Sequence, residues 1–203
     1  MARIALIGAT GNVGSRLLDE LVSRGHQVTA IGRDPAKVAA RPGVSAARAD
    51  IHDQAGLAAV LRGHDAVISA VRFLDSDPDV LLAAVRSAGV PRYLVVGGAA
   101  SLLVAPGKRL LEQPDFPEAY KAEATRGAAF LDALRQVQDL DWSFLSPSAM
   151  FVPGERTGRF RLGKDELLTG EKGSSISYED FAIAMVDELE KPAHSRQRFT
   201  VGY

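Results

Sequence analysis

Cysteine is absent from this chain of 203 residues. Its absence removes disulfides, thiol nucleophiles and thiolate metal sites together, and it fits a reducing compartment, so a cytoplasmic location is expected. Histidine is scarce. His26, His52, His64 and His194 stand apart with no paired spacing, so no metal site is expected. Neither sign of charge dominates, with 24 Lys and Arg against 25 Asp and Glu. That leaves no electrostatic case for nucleic acid or an acidic membrane surface as partner. No apolar run approaches the length that crosses a bilayer. The N-terminus moves straight into an apolar segment without a charged region before it, so no signal peptide is expected. Internal repeats, low-complexity tracts and linker-like stretches are also lacking. What remains is an ordinary globular composition, 46% hydrophobic, of a length that suits one domain with a sizeable core. A small molecule is the partner class left.

The most informative segment lies at the start. Arg3-Ile4-Ala5-Leu6-Ile7 reads as a short buried strand, and Val13, Leu17, Leu18, Leu21 and Val22 recur at helical spacing until Gly25. Between them run Gly8-Ala9-Thr10-Gly11-Asn12-Val13-Gly14. Glycines there let the chain turn tightly and bring backbone N–H groups close to a pyrophosphate, and the helix N-terminus behind them adds orphan donors and a favourable dipole. The spacing is Gly-x-x-Gly-x-x-Gly, a departure from the Gly-x-Gly-x-x-Gly dinucleotide fingerprint. Its place between strand and helix, near the chain start, is what makes it a dinucleotide site rather than a plain glycine turn.

Strand and helix signals then alternate. Strands are expected at His26–Gly32, Ser45–Asp50, Ala66–Ala70, Tyr93–Gly98 and Trp142–Ser146. Asp53 caps a helix that turns Leu57, Val60 and Leu61 inward and stops at Gly63. Asp77-Pro78 opens another that turns Leu81, Ala84 and Val85 inward and ends at Gly89. A longer helix runs from about Pro117 to Val137. This alternation argues for a parallel sheet with helical crossovers, an α/β, Rossmann-like doubly wound fold. After Pro147 the pattern turns irregular. Arg159–Leu162 alternates like an exposed strand, Ser177–Asp180 resembles a capping box before Phe181, Met185, Val186 and Leu189, and Phe199–Val201 can add a last strand. The segment of about 148–176 lies beyond the sixth strand, where ligands of open α/β sheets bind, and is the expected substrate cover.

Arg33 ends the second strand. An acidic residue there would bind the ribose 2′-hydroxyl of NAD, whereas an arginine can pair with the 2′-phosphate of NADP. NADP is therefore the expected cofactor, with NAD possible; the other reading of Arg33 is a solvated residue before Asp34-Pro35.

The Gly8-to-Gly14 turn, Arg33, Ala49-Asp50-Ile51, Val95-Val96-Gly97-Gly98-Ala99-Ala100-Ser101 and Asp141–Ser148 together resemble the atypical short-chain dehydrogenase/reductases. Within that group the chain is most similar to the NADH-flavin reductases, which stand beside the biliverdin-IXβ/flavin reductases. The resemblance spans nearly the whole chain, including Pro153–Gly158 and the Ser177–Asp180 cap. It implies that Gly8, Thr10, Gly11, Asn12, Val13 and Gly14 hold the dinucleotide. It also implies that Asp50 and Ile51 border the adenine, and that Ala70 and Val71 line the path to the nicotinamide ribose. Ser101 falls where the superfamily places its catalytic serine. Asp50 reads equally well as a cap on the turn after its strand, and Ser101 as a serine in a glycine-rich turn.

The chain departs from the family at its Tyr-x-x-x-Lys pair. If Lys121 matches the lysine, Pro117 stands at the tyrosine; if Tyr120 matches the tyrosine, Ala124 stands at the lysine. Lys121 alone could hold the nicotinamide ribose, or be an exposed helix lysine. The flavin-reductase relatives also lack the pair, and a conjugated acceptor can take its proton from solvent, leaving the protein to position cofactor and substrate. The histidine some of them carry is replaced here by Ser146-Pro147-Ser148-Ala149. Ser148, Met150 and Phe151 are the expected substrate contacts. Arg156, Arg159 and Arg161 are either anion contacts or a solvated strand face. The expected function is an NADPH-dependent reductase passing hydride to a flavin, quinone-like or other conjugated acceptor. Its rival is a non-catalytic dinucleotide sensor resembling the nitrogen-metabolite-repression regulators, which share the fold and lack the tyrosine. A sugar-nucleotide epimerase or dehydratase is disfavoured, because those need the tyrosine and a larger substrate lobe.

Overall fold

Alternating side chains set the layers. In β1 (Arg3–Ile7), Ile4 and Leu6 join one apolar cluster and Ala5 and Ile7 the other, because successive residues of a strand point to opposite faces. The computed structural model describes residues 1–203. Its central sheet adds β2 (Gln27–Gly32), β3 (Val44–Arg48), β4 (Ala66–Ser69), β5 (Arg92–Val96), β8 (Asp141–Pro147), β10 (Arg161–Gly163) and β12 (Gln197–Gly202). The spatial order is β10-β12-β8-β5-β4-β1-β2-β3, parallel throughout except for the antiparallel β10–β12 pair. The direction of winding reverses between β1 and β4, and ligands of such sheets bind at the carboxyl ends beside that point.

Helices α1 (Asn12–Ser23) and α5 (Tyr178–Glu190) cover one face, where Leu17 and Leu21 meet Phe181 and Met185. On the other face lie α2 (Gln54–Leu61), α3 (Pro78–Ala88) and α4 (Glu118–Arg135), burying Leu57, Leu81, Val85, Phe130 and Leu134. Their boundaries have local causes. The Asp53 carboxylate accepts from Gly56 N, Asp77 accepts from Asp79 N with Pro78 behind it, and Gly89 closes α3 in the left-handed region at φ 70°. No helix is long and apolar enough to cross a membrane.

Three features differ from the sequence expectation. The exposed strand is β10 at Arg161–Gly163, on the sheet edge. The Ser177–Asp180 box forms by half: Ser177 Oγ accepts from Asp180 N, but the Asp180 carboxylate turns away to Thr157, Gly158 and Tyr203. Small pairings also appear where no periodicity marked them: a hairpin of β6 (Leu103–Ala105) with β7 (Lys108–Arg109), and a parallel pair of β9 (Met150–Val152) with β11 (Ser175–Ser177).

Candidate dinucleotide and acceptor site

The β1–α1 turn gives its three glycines separate physical roles. Gly8 has φ 84°, and a Cβ on it would lie 2.5 Å from the Ala70 carbonyl oxygen. A Cβ on Gly14 would lie 2.0 Å from the Gly8 oxygen, so α1 starts flush against the turn. Gly11 is different. It is the N-cap of α1, and a Cβ there meets only the Gly8 oxygen at 3.4 Å. Protein packing demands glycine at 8 and 14, whereas at 11 it leaves space. The first turn of α1 carries no side-chain cap and no acidic residue. Its orphan N–H donors and dipole therefore suit a bound pyrophosphate, with Thr10, Asn12 and Val13 in the same turn.

Arg33 directly follows β2, is exposed, and has no carboxylate within ion-pair distance. The neighbouring acid, Asp34, is occupied by capping Ala36 N at 3.2 Å. Asp50 Oδ1 accepts from His52 N at 2.9 Å, so its turn-capping role is present in the structure. Ile51 packs on the α2/α3 face. Ala70 and Val71 are half-buried beside Gly8, and Ala70 N donates to Ile7 O at 2.9 Å.

A pocket of about 690 Å³ opens at the carboxyl ends of β5 and β8. Ser101, Ser148, Met150 and Phe151 are among the residues that line it. Lys121 does not: it is exposed and its Nζ lies 2.6 Å from Glu118. The pocket walls are aromatic on two sides. Phe151 packs edge-on against Tyr178, with centroids 4.7 Å apart, while Phe116 and Tyr120 stand on the α4 side. Gly97 in its floor is sterically required, since a Cβ would lie 2.3 Å from the Phe144 ring.

The serine hydroxyls are tied into the protein. Ser148 Oγ donates to Val201 O at 3.1 Å, and Ser101 Oγ accepts from Arg198 Nη1 at 3.4 Å. Arg198 is buried and paired with Asp165, and its burial lowers its pKa against the opposing pull of that carboxylate. Two of the three arginines of the 148–176 segment are likewise engaged, and Arg159 is exposed. Arg156 forks onto Glu20 with two contacts of 2.9 Å, and Arg161 donates to the carbonyls of Thr169 and Tyr203. Gly154 N reaches Glu179, and Thr157 N and Gly158 N reach Asp180. Of that segment, Ser148–Val152 forms pocket wall, and residues 154–158 are pinned onto α1 and α5.

Sequence reasoning missed Glu123. It lines the pocket, and its two carboxylate oxygens accept from Phe73 N at 2.7 Å and Leu74 N at 2.9 Å, tying α4 to the loop after β4. One signal was available in Gly127, a helix-interior glycine of the kind that marks close packing. A Cβ there would lie 2.8 Å from the Phe73 ring. Arg198 and the 110–117 loop, which supplies Leu110, Asp115 and Phe116 to the pocket, had no local signal at all.

Several known proteins are similar to this chain over its whole length. Protein YwnB of Bacillus subtilis (strain 168) is 40% identical over 210 residues, covering 98% of this chain and 97% of that protein. A solved structure from Bacteroides thetaiotaomicron, described as a candidate epimerase, is 43% identical with a TM-score of 0.94, covering 100% of this chain and 97% of that one. A solved structure of a candidate NADH-flavin reductase from Streptococcus pneumoniae TIGR4 is 39% identical with a TM-score of 0.86, covering 100% and 99%. The NAD(P)H-binding family model matches residues 8–192, from the first glycine of the turn to just past the end of α5, and this chain belongs to that NAD(P)H-binding, Rossmann-like family.

Proposed function

We propose that the protein is an NADPH-dependent reductase that passes hydride to a flat conjugated acceptor, a flavin or a quinone-like compound. The observation that carries this reading is the aromatic-walled pocket at the ends of β5 and β8, beside the winding reversal where the glycine turn stands. Strand spacing is about 4.8 Å, so β1 and β5, separated by β4, lie about 10 Å apart. A dinucleotide anchored at Gly11 can extend past Ala70 and Val71 to that pocket. The uncapped α1 N-terminus and Gly11 would hold the pyrophosphate, Arg33 the 2′-phosphate, and Asp50 and Ile51 the adenine side.

A reduced nicotinamide supplies hydride when bound. The chain's own part is positional: Phe151, Met150 and Tyr178 flank the acceptor ring, Gly97 and Ser101 form the floor, and Glu123 fixes the loop bearing Val71. Tyr120 is 66% exposed, and the pocket rim at Met150 is 60% exposed. Water therefore reaches the acceptor, and the proton that completes reduction comes from solvent. NADPH, the acceptor and one proton give NADP⁺ and the two-electron-reduced acceptor.

Steady NADPH oxidation by purified protein with a panel of free flavins and quinones tests the reading. A second reading, a dinucleotide sensor, draws on one observation: Ser101 and Ser148, the hydroxyls of the pocket floor, are already engaged with Arg198 and Val201. Tight NADPH binding with no turnover on any acceptor would favour the sensor and overturn the reductase.

A further inference from the structure

The charge of the acceptor can be read from the pocket wall. Its lining contains no lysine, arginine or histidine, and the charged residues in it are two carboxylates, Asp115 and Glu123. The chain segment that supplies those two is acidic beyond them. Between Leu110 and Glu123 the chain carries Glu112, Asp115, Glu118 and Glu123 against the single cation Lys121, which already faces Glu118.

Three cations on neighbouring elements are held by carboxylates outside the pocket lining. Arg16 Nε lies 3.0 Å from Glu179, Arg156 is forked onto Glu20, and Arg198 is buried on Asp165. Arg72 Nε lies 4.0 Å from the Glu123 carboxylate, and Arg126 of α4 is exposed outside the pocket lining. Glu123 itself is partly neutralised by the two backbone N–H groups it accepts. Asp115 has neither an ion pair nor a capping hydrogen bond, and is exposed at the mouth.

We infer, building on the reductase reading above, that the acceptor is an uncharged planar molecule, a flavin ring system without phosphate or a quinone, and that the pocket selects against phosphorylated forms. A phosphomonoester carries about 1.5–2 negative charges at neutral pH and needs donors to replace its water. With the ring between Phe151 and the α4 side, the phosphate of a flavin mononucleotide would emerge at a mouth whose lining supplies carboxylates and no cation. Like charges at such separations repel through water by enough to cost about three- to ten-fold in kcat/KM at low ionic strength. NADPH escapes this penalty because its phosphates belong to the α1 N-terminus and Arg33, on the far side of β4.

The test compares riboflavin with flavin mononucleotide as acceptor at saturating NADPH. At about 10 mM salt, kcat/KM should favour riboflavin by about three- to ten-fold. At about 1 M salt, where the Debye length falls to about 3 Å, the two should converge. Asp115→Lys replaces the mouth carboxylate by a cation and should raise the mononucleotide-to-riboflavin ratio by ten-fold or more, with an unchanged melting temperature confirming the fold. Equal or better use of the mononucleotide at low salt, or a ratio insensitive to both salt and Asp115→Lys, would overturn the inference and leave the reductase standing. Absence of turnover with either flavin and with quinones would instead overturn the reductase itself, and the inference with it.

Discussion

Gly11 is the residue at which protein packing and ligand binding separate. Because a Cβ at position 11 meets only one backbone oxygen, at 3.4 Å, Gly11→Val should fold with a melting temperature close to wild type and lose NADPH binding. Gly14→Ala should do the reverse, losing stability because its Cβ would lie 2.0 Å from the Gly8 oxygen. Fluorescence titration beside thermal melting reads both, and unchanged NADPH affinity in Gly11→Val would remove the glycine turn as the binding site. Arg33 allows a second test at this scale. Its guanidinium has no protein carboxylate partner, so Arg33→Ala should be structurally silent. Loss of a charge-assisted contact to the 2′-phosphate costs roughly 1.5–3 kcal/mol, about one to two decades in affinity. The loss should fall on NADPH and spare NADH. Equal weakening of both cofactors, or a wild-type preference for NADH, would reduce Arg33 to a surface residue.

Elements were legible where their causes are local. Asp53, Asp77 and Gly89 act within a few residues of themselves, so caps and stops could be read directly. The buried strands β1, β2, β4, β5 and β8 declare themselves by apolar runs of the right length. What joins elements was not legible. Arg198 reaches Ser101 across 97 positions and Arg156 reaches Glu20 across 136, and no periodicity encodes such pairings. The half-formed box at Ser177 shows the same limit, since Asp180 serves a loop more than twenty residues upstream instead of its own cap. Glu123 is the junction of most consequence. Its two contacts to Phe73 N and Leu74 N are what hold α4 against the loop after β4, which in turn abuts Gly8. Glu123→Ala should cost about 1.5–3 kcal/mol, roughly 3–12 °C in Tm for a chain of this length. It should also weaken NADPH, because the Ala70–Val71 edge would lose its support. Glu123→Gln keeps one acceptor oxygen and should fall between. A fully stable Glu123→Ala variant with wild-type affinity would show that the Phe73 ring alone holds the loop.

For the molecule as a whole, α5 is the fastener. Its Asp187 and Glu190 meet Arg24 of the α1 end at 2.7 and 2.8 Å, and its Glu188 reaches under the sheet to Arg92 at 2.8 Å and to His194 at 2.7 Å. Arg92 and Glu188 are both nearly inaccessible, at 7% and 3%. Burial by itself would raise the Glu188 pKa. Hydrogen bonds from the His194 ring, from the backbone of His194 and Ala193, and from Ser143 outweigh it and hold the carboxyl below the usual glutamate range. Glu20, Glu179 and Glu190 are held low as well: burial raises the first two, but Arg156 and Arg24 outweigh it for Glu20, the Gly154 N–H together with Arg16 outweighs it for Glu179, and hydrogen bonding to Arg24 dominates for Glu190. A carboxyl whose folded pKa lies below its unfolded value binds fewer protons when folded. Stability from these groups is therefore complete above the unfolded value, about 4.3 for glutamate, and is lost as pH falls through the lower folded values. The melting temperature should accordingly be flat from neutral pH down to about 5 and drop steeply below about 4. Glu188→Gln should lower Tm at neutral pH, because Arg92 then keeps only Asp141, at 3.0 Å, as an anionic partner; breaking such a buried pair costs about 3 kcal/mol. It should also shallow the acid slope. Thermal melts of wild type and variant across that range decide the matter: an acid slope identical in the two would mean that Glu188 is not among the groups fastening α5 to the sheet.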